Sequence, residues 1–175
     1  MTDPDRVPDL LKAAQNLPPH SALIYRHFGA DEREFMAHKL RQICFDRGVQ
    51  FLVGADEELA RECGADGLHL PERQLDEAHI LRIRYPDWIL TGATHSELSL
   101  ARAAKFSIDA CMLSPVFESQ SPSAGKAIGL DRFANMVKTS KVPVVGLGGI
   151  NATNASQLVE SGIVGIAGVS GFFHV

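Results

Sequence analysis

Two short apolar runs near the carboxyl end of the chain, each closed by glycine, constrain its fold more than any other feature. The first run, Val142–Leu147, ends at Gly148 and Gly149, and the second, Ile163–Ala167, ends at Gly168. Both runs are too short and too uniformly apolar for half-buried antiparallel strands. This pattern predicts strands that are buried on both faces of a parallel sheet.

The glycines after these two strands predict a binding site for a doubly charged anion. Glycine has no Cβ, so a ligand can approach the backbone N–H groups closely. A helix predicted over Ala152–Ser161, opened by Asn151, would add the positive end of its dipole. In (β/α)8 barrels a phosphate commonly sits at the ends of the last two strands. The residues alone leave open the alternative of two ordinary buried strands with glycine-rich turns.

Ahead of this stretch, short apolar runs alternate with helical patterns about every 20 residues, which is typical of βαβ units. The other predicted strands are Ala22–Arg26, Gln50–Val53, Gly67–Leu70, Trp88–Thr91 and Ala110–Leu113. The other predicted helices are Pro8–Asn16, Asp31–Arg47, Glu57–Cys63, Leu75–Tyr85, Glu97–Lys105 and Leu130–Thr139. Asp31 and Asp56 are the predicted N-caps of the second and third helices. About seven strands separated by helices predict an α/β fold, a TIM (β/α)8 barrel.

This barrel is expected to be incomplete at strand 1 and helix 8. Met1 stands where the first strand should end, and Val175 leaves almost no eighth helix. An open edge would expose unpaired backbone groups, so a homo-oligomer that covers the edge is one expectation. A mis-assigned translation start is the alternative. Residues 1–175 are otherwise expected to form a single domain.

Composition excludes several classes of function. Net charge is −4 and the basic residues are scattered, so no nucleic acid is expected as a partner. No apolar run approaches the roughly 20 residues needed to cross a bilayer, and the polar N-terminus is no signal peptide. Three separated cysteines are expected to be reduced packing residues of a cytoplasmic protein.

Several segments together resemble the thiamine phosphate synthase family, which includes the TenI-like thiazole tautomerases. They are Thr2-Asp3-Pro4, Gly64–Leu70, Thr94-His95-Ser96, Leu113–Phe117, Val142–Asn151 and Gly165–Ser170. The resemblance implies a TIM-barrel transferase that couples hydroxymethylpyrimidine pyrophosphate to thiazole phosphate, with Mg²⁺ on the leaving pyrophosphate. The alternative is a non-catalytic or regulatory relative that binds thiazole phosphate or another small phosphorylated heterocycle.

The resemblance keeps the phosphate side of the site. The substrate- and phosphate-binding residues that it implies are Ser119, Gln120, Ser121, Gly148, Gly149, Val169 and Ser170. Residues 119–121 stand where the family has Thr-x-Thr at the thiazole phosphate. Thr94 stands near the family's Ser after the fifth strand, and it is a predicted catalytic residue.

The pyrimidine–pyrophosphate side departs from the family. Of the family's Gln-x-Arg-x-Lys only Arg26 remains, and this strand-end arginine is the second predicted catalytic residue, a clamp for phosphate or pyrophosphate. The family's two metal-binding aspartates fall at Ala55 and Gln74, so the usual Mg²⁺ ligands are absent. The Lys after Thr-x-Thr is Pro122, and the catalytic His of the tautomerases aligns with Pro115.

Other residues are candidates to replace the lost groups. Asp56 and Glu72 lie close to the two missing aspartates and could form a shifted metal site. The simpler interpretation is a helix cap for Asp56 and a solvated charge for Glu72. His27 and His95 are candidate acid–base groups, whereas His69 is expected to pack inside a strand.

Overall fold

The computed structural model describes residues 1–7, 9–119, 121 and 125–169. Within these residues one seven-stranded sheet follows the order of the chain, and every neighbouring pair is parallel. The strands are β1 (Ala22–Tyr25), β2 (Gln50–Gly54), β3 (Gly67–Leu70), β4 (Ile89–Thr94), β5 (Ala110–Leu113), β6 (Val144–Leu147) and β7 (Gly165–Ala167). The predicted parallel α/β fold is therefore confirmed.

Helices lie between successive strands. The α-helices are α1 (Leu10–Gln15), α2 (Arg33–Arg47), α3 (Glu57–Glu62), α4 (Ala78–Arg84), α5 (Glu97–Ala103) and α6 (Leu130–Thr139). Two 3₁₀ helices, Glu72–Glu77 and Ala155–Ser161, complete the helices of the described residues. The first of them occupies the start of the helix that was predicted over Leu75–Tyr85, and α4 forms the rest.

The helix predicted over Ala152–Ser161 is wrong in type and in its start. Its 3₁₀ form begins at Ala155, and Asn151 does not open it. The Asn151 N–H donates to Asn154 Oδ1 at 2.8 Å, and the Thr153 N–H donates to Asn151 Oδ1 at 2.9 Å. Such local side-chain bonds compete with helical backbone bonds, so residues 151–154 form a turn.

One of the two predicted helix caps is confirmed. Asp56 accepts the Leu59 N–H and caps α3. Asp31 does not cap α2, which begins two residues later, after Glu32, without a side-chain cap. The helical spacing of Phe35, Met36, Leu40, Ile43 and Cys44 predicts that these residues share one buried face of α2. This prediction is partly wrong, because Phe35 is 55% exposed. The fully buried residues of this helix are Ala37, Leu40 and Cys44.

Alternate residues of each strand face opposite sides of the sheet. Ile24, Leu52 and Met112 form a small cluster inside the barrel together with Met1. The neighbouring strand residues, such as Phe51, belong to the larger core between the sheet and the helices. Side chains on the inward-facing positions beyond the strand ends therefore face the mouth of the barrel.

Among the described residues β1 and β7 do not pair, so the barrel is open between them, and this confirms the predicted incomplete barrel at strand 1. The place of the predicted missing eighth helix, residues 170–175, lies outside the described residues. Residues 1–2 bridge the gap at the mouth. The Met1 amino group donates to the Gly168 carbonyl at 2.9 Å, and the Thr2 N–H donates to the Ile24 carbonyl at 2.9 Å. Two hydrogen bonds at this end take the place of a strand ladder.

The second apolar run is not buried on both faces, contrary to the prediction. Val164 is 64% exposed and Ile166 is 38% exposed. Within the described part of the chain, β7 is an edge strand paired only with β6, and no helix follows it. Its outward side chains are therefore left in water.

The three cysteines are buried free thiols, as predicted. Burial raises the pKa of Cys44 and of Cys111 to about 12, so neither is a reactive thiolate at neutral pH. Among the described helices, none has the length and apolar character required to span a membrane.

Candidate functional site

A cavity of about 570 Å³ opens at the carboxyl ends of the strands, and we call it the mouth cavity. Its polar lining comes from the N-terminal segment, from β3 and from the segments that follow β1, β4, β5, β6 and β7. The residues that matter below are Arg6, Arg26, His69, His95, Glu118, Ser119, Ser121, Gly148, Gly149 and Val169. Most of the site residues predicted from the sequence are thus brought to one place.

The glycine ends of β6 and β7 line this cavity. Gly148 and Gly149 have φ of +98° and +67°, a region that favours glycine. Within the described residues, the N–H groups of Gly148, Gly149 and Val169 donate to no protein acceptor. Three free donors at one end of a cavity suit an anion. Ser170, the remaining predicted member of this group, lies outside the described residues.

The same glycines also carry a packing requirement. A Cβ on Gly148 would lie 2.7 Å from Pro115 Cα, and a Cβ on Gly149 would lie 2.8 Å from Phe117 Cβ. The Phe117 N–H donates to the Gly148 carbonyl at 3.1 Å, which holds this loop against the glycines. The two glycines are therefore needed for the close packing of this loop, and they also leave room for a ligand at the backbone.

Asn154 fixes the turn that carries the Gly149 amide. Its Nδ2 donates to the Gly149 carbonyl at 2.9 Å while its Oδ1 accepts the Asn151 N–H. Sequence reasoning missed this residue. The signal was present in the closely spaced Asn151, Thr153 and Asn154, because such residues commonly hydrogen-bond to nearby backbone in turns.

Two of the three predicted residues of the Ser-Gln-Ser segment line the mouth cavity. The Ser121 N–H donates to Ser119 Oγ at 3.3 Å, so the segment curls on itself. Gln120 lies outside the described residues. Both hydroxyl-bearing residues are thus placed where a polar ligand could reach them.

Arg26 faces the cavity from the end of β1 and is held by Thr2. The Arg26 N–H donates to Thr2 Oγ1 at 2.8 Å, and Arg26 Nε donates to the Thr2 carbonyl at 3.2 Å. Burial lowers the pKa of Arg26, and nearby Asp3 partly offsets this effect. Arg6, which also lines the cavity, is paired with Asp3 at 2.7 Å. Thr2, Asp3 and Arg6 were not among the predicted site residues.

The structure does not place the Thr94 side chain in the mouth cavity. Thr94 is fully buried, and its hydroxyl donates to the Met112 carbonyl at 3.3 Å. Its neighbours Ala93 and His95 line the cavity instead, because inward-facing positions alternate along β4. His95 Nδ1 lies 2.9 Å from the Ser114 carbonyl oxygen.

His69 is buried, as predicted, and it also lines the cavity, which was not predicted. Its Nδ1 lies 2.9 Å from Thr91 Oγ1. Burial lowers the pKa of His69 to about 3, and the positive charges of Arg26 and the N-terminal amine act in the same direction. The imidazole is therefore neutral at physiological pH.

His27, the remaining histidine candidate, is not part of the mouth cavity. Its ring lies 5.3 Å from the ring of Tyr25, on the helix side of the sheet. Its Nε2 is buried without a hydrogen-bond partner in the described part of the chain. Because β1 alternates, His27 and Arg26 point to opposite sides of the sheet.

The two candidate shifted metal ligands do not line the mouth cavity. Asp56 caps α3 with one carboxylate oxygen and pairs with Arg33 through the other. Glu72 begins the 3₁₀ helix, and its Oε2 is buried without a partner among the described residues. Across those residues, no group of three or more His, Cys, Asp or Glu side chains could hold a metal ion. The residues present do not fit a Mg²⁺ site of the kind that the family resemblance implies.

The family model for thiamine monophosphate synthase matches residues 3–172. The chain belongs to the thiamine monophosphate synthase family. A thiamine-phosphate synthase from Lactococcus lactis is 28% identical over 141 residues, which cover 80% of this chain and 66% of that protein. A thiamine-phosphate synthase from Ruminiclostridium cellulolyticum is 32% identical over 143 residues, 81% of this chain and 68% of the relative. The chain thus spans about two thirds of the length of these relatives.

A solved structure supports the same assignment. The thiamine phosphate pyrophosphorylase from Pyrococcus furiosus superposes with a TM-score of 0.81 at 26% identity. The match covers 97% of this chain and 83% of that one. The family predicted from the sequence is therefore confirmed, and so is the barrel-like fold.

Proposed function

We propose that this chain acts in thiamine biosynthesis as a thiamine-phosphate-synthase-like protein whose mouth cavity binds thiazole phosphate. The observation that carries the proposal is the set of free amide groups at Gly148, Gly149 and Val169. These donors would hold the phosphate, and the hydroxyl groups of Ser119 and Ser121 would approach the same ligand. The proposed place of action is the cytoplasm.

In the coupling reaction of the family, pyrophosphate leaves the pyrimidine and the thiazole nitrogen takes its place. In this chain, the amides would orient the acceptor, and the Arg26 guanidinium would stabilise negative charge on the departing group. His69 is neutral and donates or accepts hydrogen bonds without adding charge. No step is assigned to Mg²⁺, because the described carboxylates do not fit it.

A second candidate function is ligand binding without turnover. It is favoured by the lack of carboxylates that are available to bind a metal ion among the described candidates. Asp56 is used by a helix cap and an ion pair, and Ala55 and Gln74 stand where the family keeps aspartates. A regulatory relative would need the phosphate site and no metal site.

One assay separates the two functions. Purified protein is mixed with hydroxymethylpyrimidine pyrophosphate and thiazole phosphate, with and without Mg²⁺, and thiamine phosphate is measured. Turnover would support the enzyme and eliminate the binding-only function. Calorimetric binding of thiazole phosphate without turnover would support the regulatory relative. Absence of both would refute the proposed ligand.

A further inference from the structure

We propose that Thr91 holds His69 in the tautomer whose Nε2–H points into the mouth cavity, and that this neutral donor binds a ring nitrogen of the pyrimidine substrate. Thr91 acts on the ligand through His69 and is a positioning residue. The inference rests on the proposed function, because it assigns a contact to the second ligand of the coupling reaction. On the pyrimidine–pyrophosphate side the family resemblance keeps only Arg26, a predicted clamp for the pyrophosphate, and names no contact of the ring.

His69 and Thr91 lie side by side on the inner face of the sheet. They are register partners on the neighbouring strands β3 and β4. Ile89, two residues before Thr91 on the same strand, packs against the cluster inside the barrel, so Thr91 faces inward as well. Both residues are buried, with 5% of His69 and 6% of Thr91 exposed. The small exposed part of His69 lies in the wall of the mouth cavity.

The protein uses only one of the two imidazole nitrogens of His69. Nδ1 lies 2.9 Å from Thr91 Oγ1. Nε2 has no hydrogen-bond partner in the described part of the chain, yet it is not among the four unpartnered side-chain polar atoms there that are sealed from solvent. Nε2 is therefore the nitrogen that is open to the mouth cavity and to a ligand.

The Thr91 hydroxyl decides which imidazole nitrogen carries the proton. Among the described residues its one hydrogen-bond partner is His69 Nδ1. If Nδ1 carried the proton, Thr91 Oγ1 would accept it, and the buried hydroxyl hydrogen would be left without an acceptor, which is destabilising. If Thr91 donates to Nδ1 instead, the buried donor is used and the imidazole proton is on Nε2. The second arrangement is favoured, and it presents an N–H group to the cavity.

The surroundings of His69 keep this donor neutral. Gly54 is the register partner of His69 on β2, and a Cβ on Gly54 would lie 3.1 Å from Arg26 Cγ. Arg26 thus lies across β2 beside His69, and burial together with the charge of Arg26 lowers the pKa of His69 to about 3. Neutrality suits the family's reaction. Pyrophosphate leaves with the bonding electron pair, positive charge stays on the pyrimidine, and an imidazolium would repel it.

Of the two substrates, the pyrimidine is the one whose ring nitrogens can accept this hydrogen bond throughout the reaction. The thiazole nitrogen must keep its lone pair free, because that lone pair forms the new bond to the pyrimidine. The interior of the barrel is filled by the apolar cluster of Met1, Ile24, Leu52 and Met112. An apolar surface with one directed donor fixes the orientation of a flat ring, as is usual in small-molecule sites.

The first experiment determines the tautomer by nitrogen-15 NMR of the full chain at neutral pH. Protonated and unprotonated imidazole nitrogens resonate far apart, and the spectrum of His69→Asn identifies the His69 signals among the seven histidines. We expect the proton on Nε2. In Thr91→Val the Nδ1 resonance should shift, because the hydrogen bond that Nδ1 accepts is lost, and in Thr91→Ser it should stay near its wild-type position. A wild-type spectrum with the proton on Nδ1 would overturn the inference.

The second experiment titrates the same proteins with hydroxymethylpyrimidine, which lacks the pyrophosphate, so that the ring contact is measured alone. His69→Asn keeps a polar group near the Nδ1 position and loses the donor at Nε2, so it should bind the pyrimidine about 3- to 10-fold more weakly. His69→Gln is the matched variant, because its amide reaches the Nε2 position, and it should keep most of the affinity. Thr91→Val should bind about threefold more weakly, and Thr91→Ser should bind as the wild type does.

Two pyridine analogues of the ligand, each with one ring nitrogen replaced by C–H, identify the accepting nitrogen. One of them should bind the wild type as weakly as the pyrimidine binds His69→Asn. Because these titrations need only the wild type, they decide the question even where a variant does not fold by thermal melting. Equal affinity of the wild type for the pyrimidine and both analogues would contradict the inference.

Two further results would overturn the inference: a wild type that does not bind the pyrimidine, or folded His69→Asn and Thr91→Val variants that bind it as the wild type does. Thiazole phosphate, titrated separately, tests the proposed function. Binding of thiazole phosphate, with pyrimidine affinity that is absent or independent of His69, would refute the inference alone. Pyrimidine binding that depends on His69, without binding of thiazole phosphate, would refute the proposed function alone. Failure of both would refute both.

Discussion

His69 should make the folded protein sensitive to acid. Burial holds the pKa of His69 at about 3, below its usual value of 6.5. Between these two values the unfolded chain takes up a proton that the folded chain does not bind. The stability contributed by neutral His69 is therefore complete above about pH 6.5 and is lost progressively as pH falls toward 3.

The size of this effect follows from the shift. One pKa unit corresponds to about 1.4 kcal/mol, so the full loss between the two values is about 5 kcal/mol. At about pH 5 the loss is about 2 kcal/mol, a large part of the 5–15 kcal/mol typical of a domain. An anion bound beside Arg26 would reduce the loss, because its charge offsets the repulsion between Arg26 and a protonated imidazole.

The assay is urea unfolding of the wild type and of His69→Asn at about pH 7.5 and about pH 5. Asparagine can still hydrogen-bond to Thr91, 2.9 Å from the imidazole, but it does not titrate. We expect the wild type to lose about 2 kcal/mol more than the variant on acidification. His38→Asn, on the exposed face of α2, is the control and should behave as the wild type does. Equal losses in wild type and His69→Asn would refute the reasoning.

Three further predictions concern the same region. Thr2→Val removes the hydroxyl that accepts the Arg26 N–H and should weaken phosphate binding about tenfold in calorimetry, whereas Thr2→Ser keeps the hydroxyl and should not. Equal phosphate affinities of the wild type and Thr2→Val would contradict the positioning of Arg26 by Thr2. Asn154→Ala frees the Gly149 carbonyl and should weaken binding several-fold with a small change in melting temperature; a normal Kd would show that the turn holds without it. Ala55 has a left-handed backbone conformation, which glycine adopts with less steric strain than alanine, so Ala55→Gly should raise the free energy of unfolding in urea by about 1 kcal/mol. A lower free energy of unfolding would contradict this account.

Periodicity and turn chemistry were sufficient to predict most of the fold. Gly67–Leu70 and Ala110–Leu113 are strands with the predicted bounds, because each is a short apolar run between clear breaks. The helix predicted over Ala152–Ser161 failed because hydrogen bonds among Asn151, Thr153 and Asn154 hold a turn there. Phe35 was predicted on the buried face of α2 from its spacing alone, but the side of the helix that packs against the core depends on tertiary contacts, and Phe35 is exposed.

The site was predicted less completely, for a geometric reason. Motif likeness places Thr94 near the mouth to within one residue, and in a strand one residue reverses the direction of the side chain. Thr94 accordingly faces the core, while His69 faces the cavity from inside a strand. Thr2 and Asn154 act by fixing neighbouring groups, and such contacts depend on residues that are distant in sequence or on a turn that must first form.

The tight fit between the glycine pair and residues 115–118 has a consequence for how such proteins diverge. A related protein that no longer binds the substrate would still require Gly148 and Gly149, since any side chain at these positions would displace residues 115–118. The presence of this dipeptide in a distant homologue would therefore indicate that the packing of this loop is kept. Only the neighbouring polar groups would indicate whether the ligand chemistry is kept.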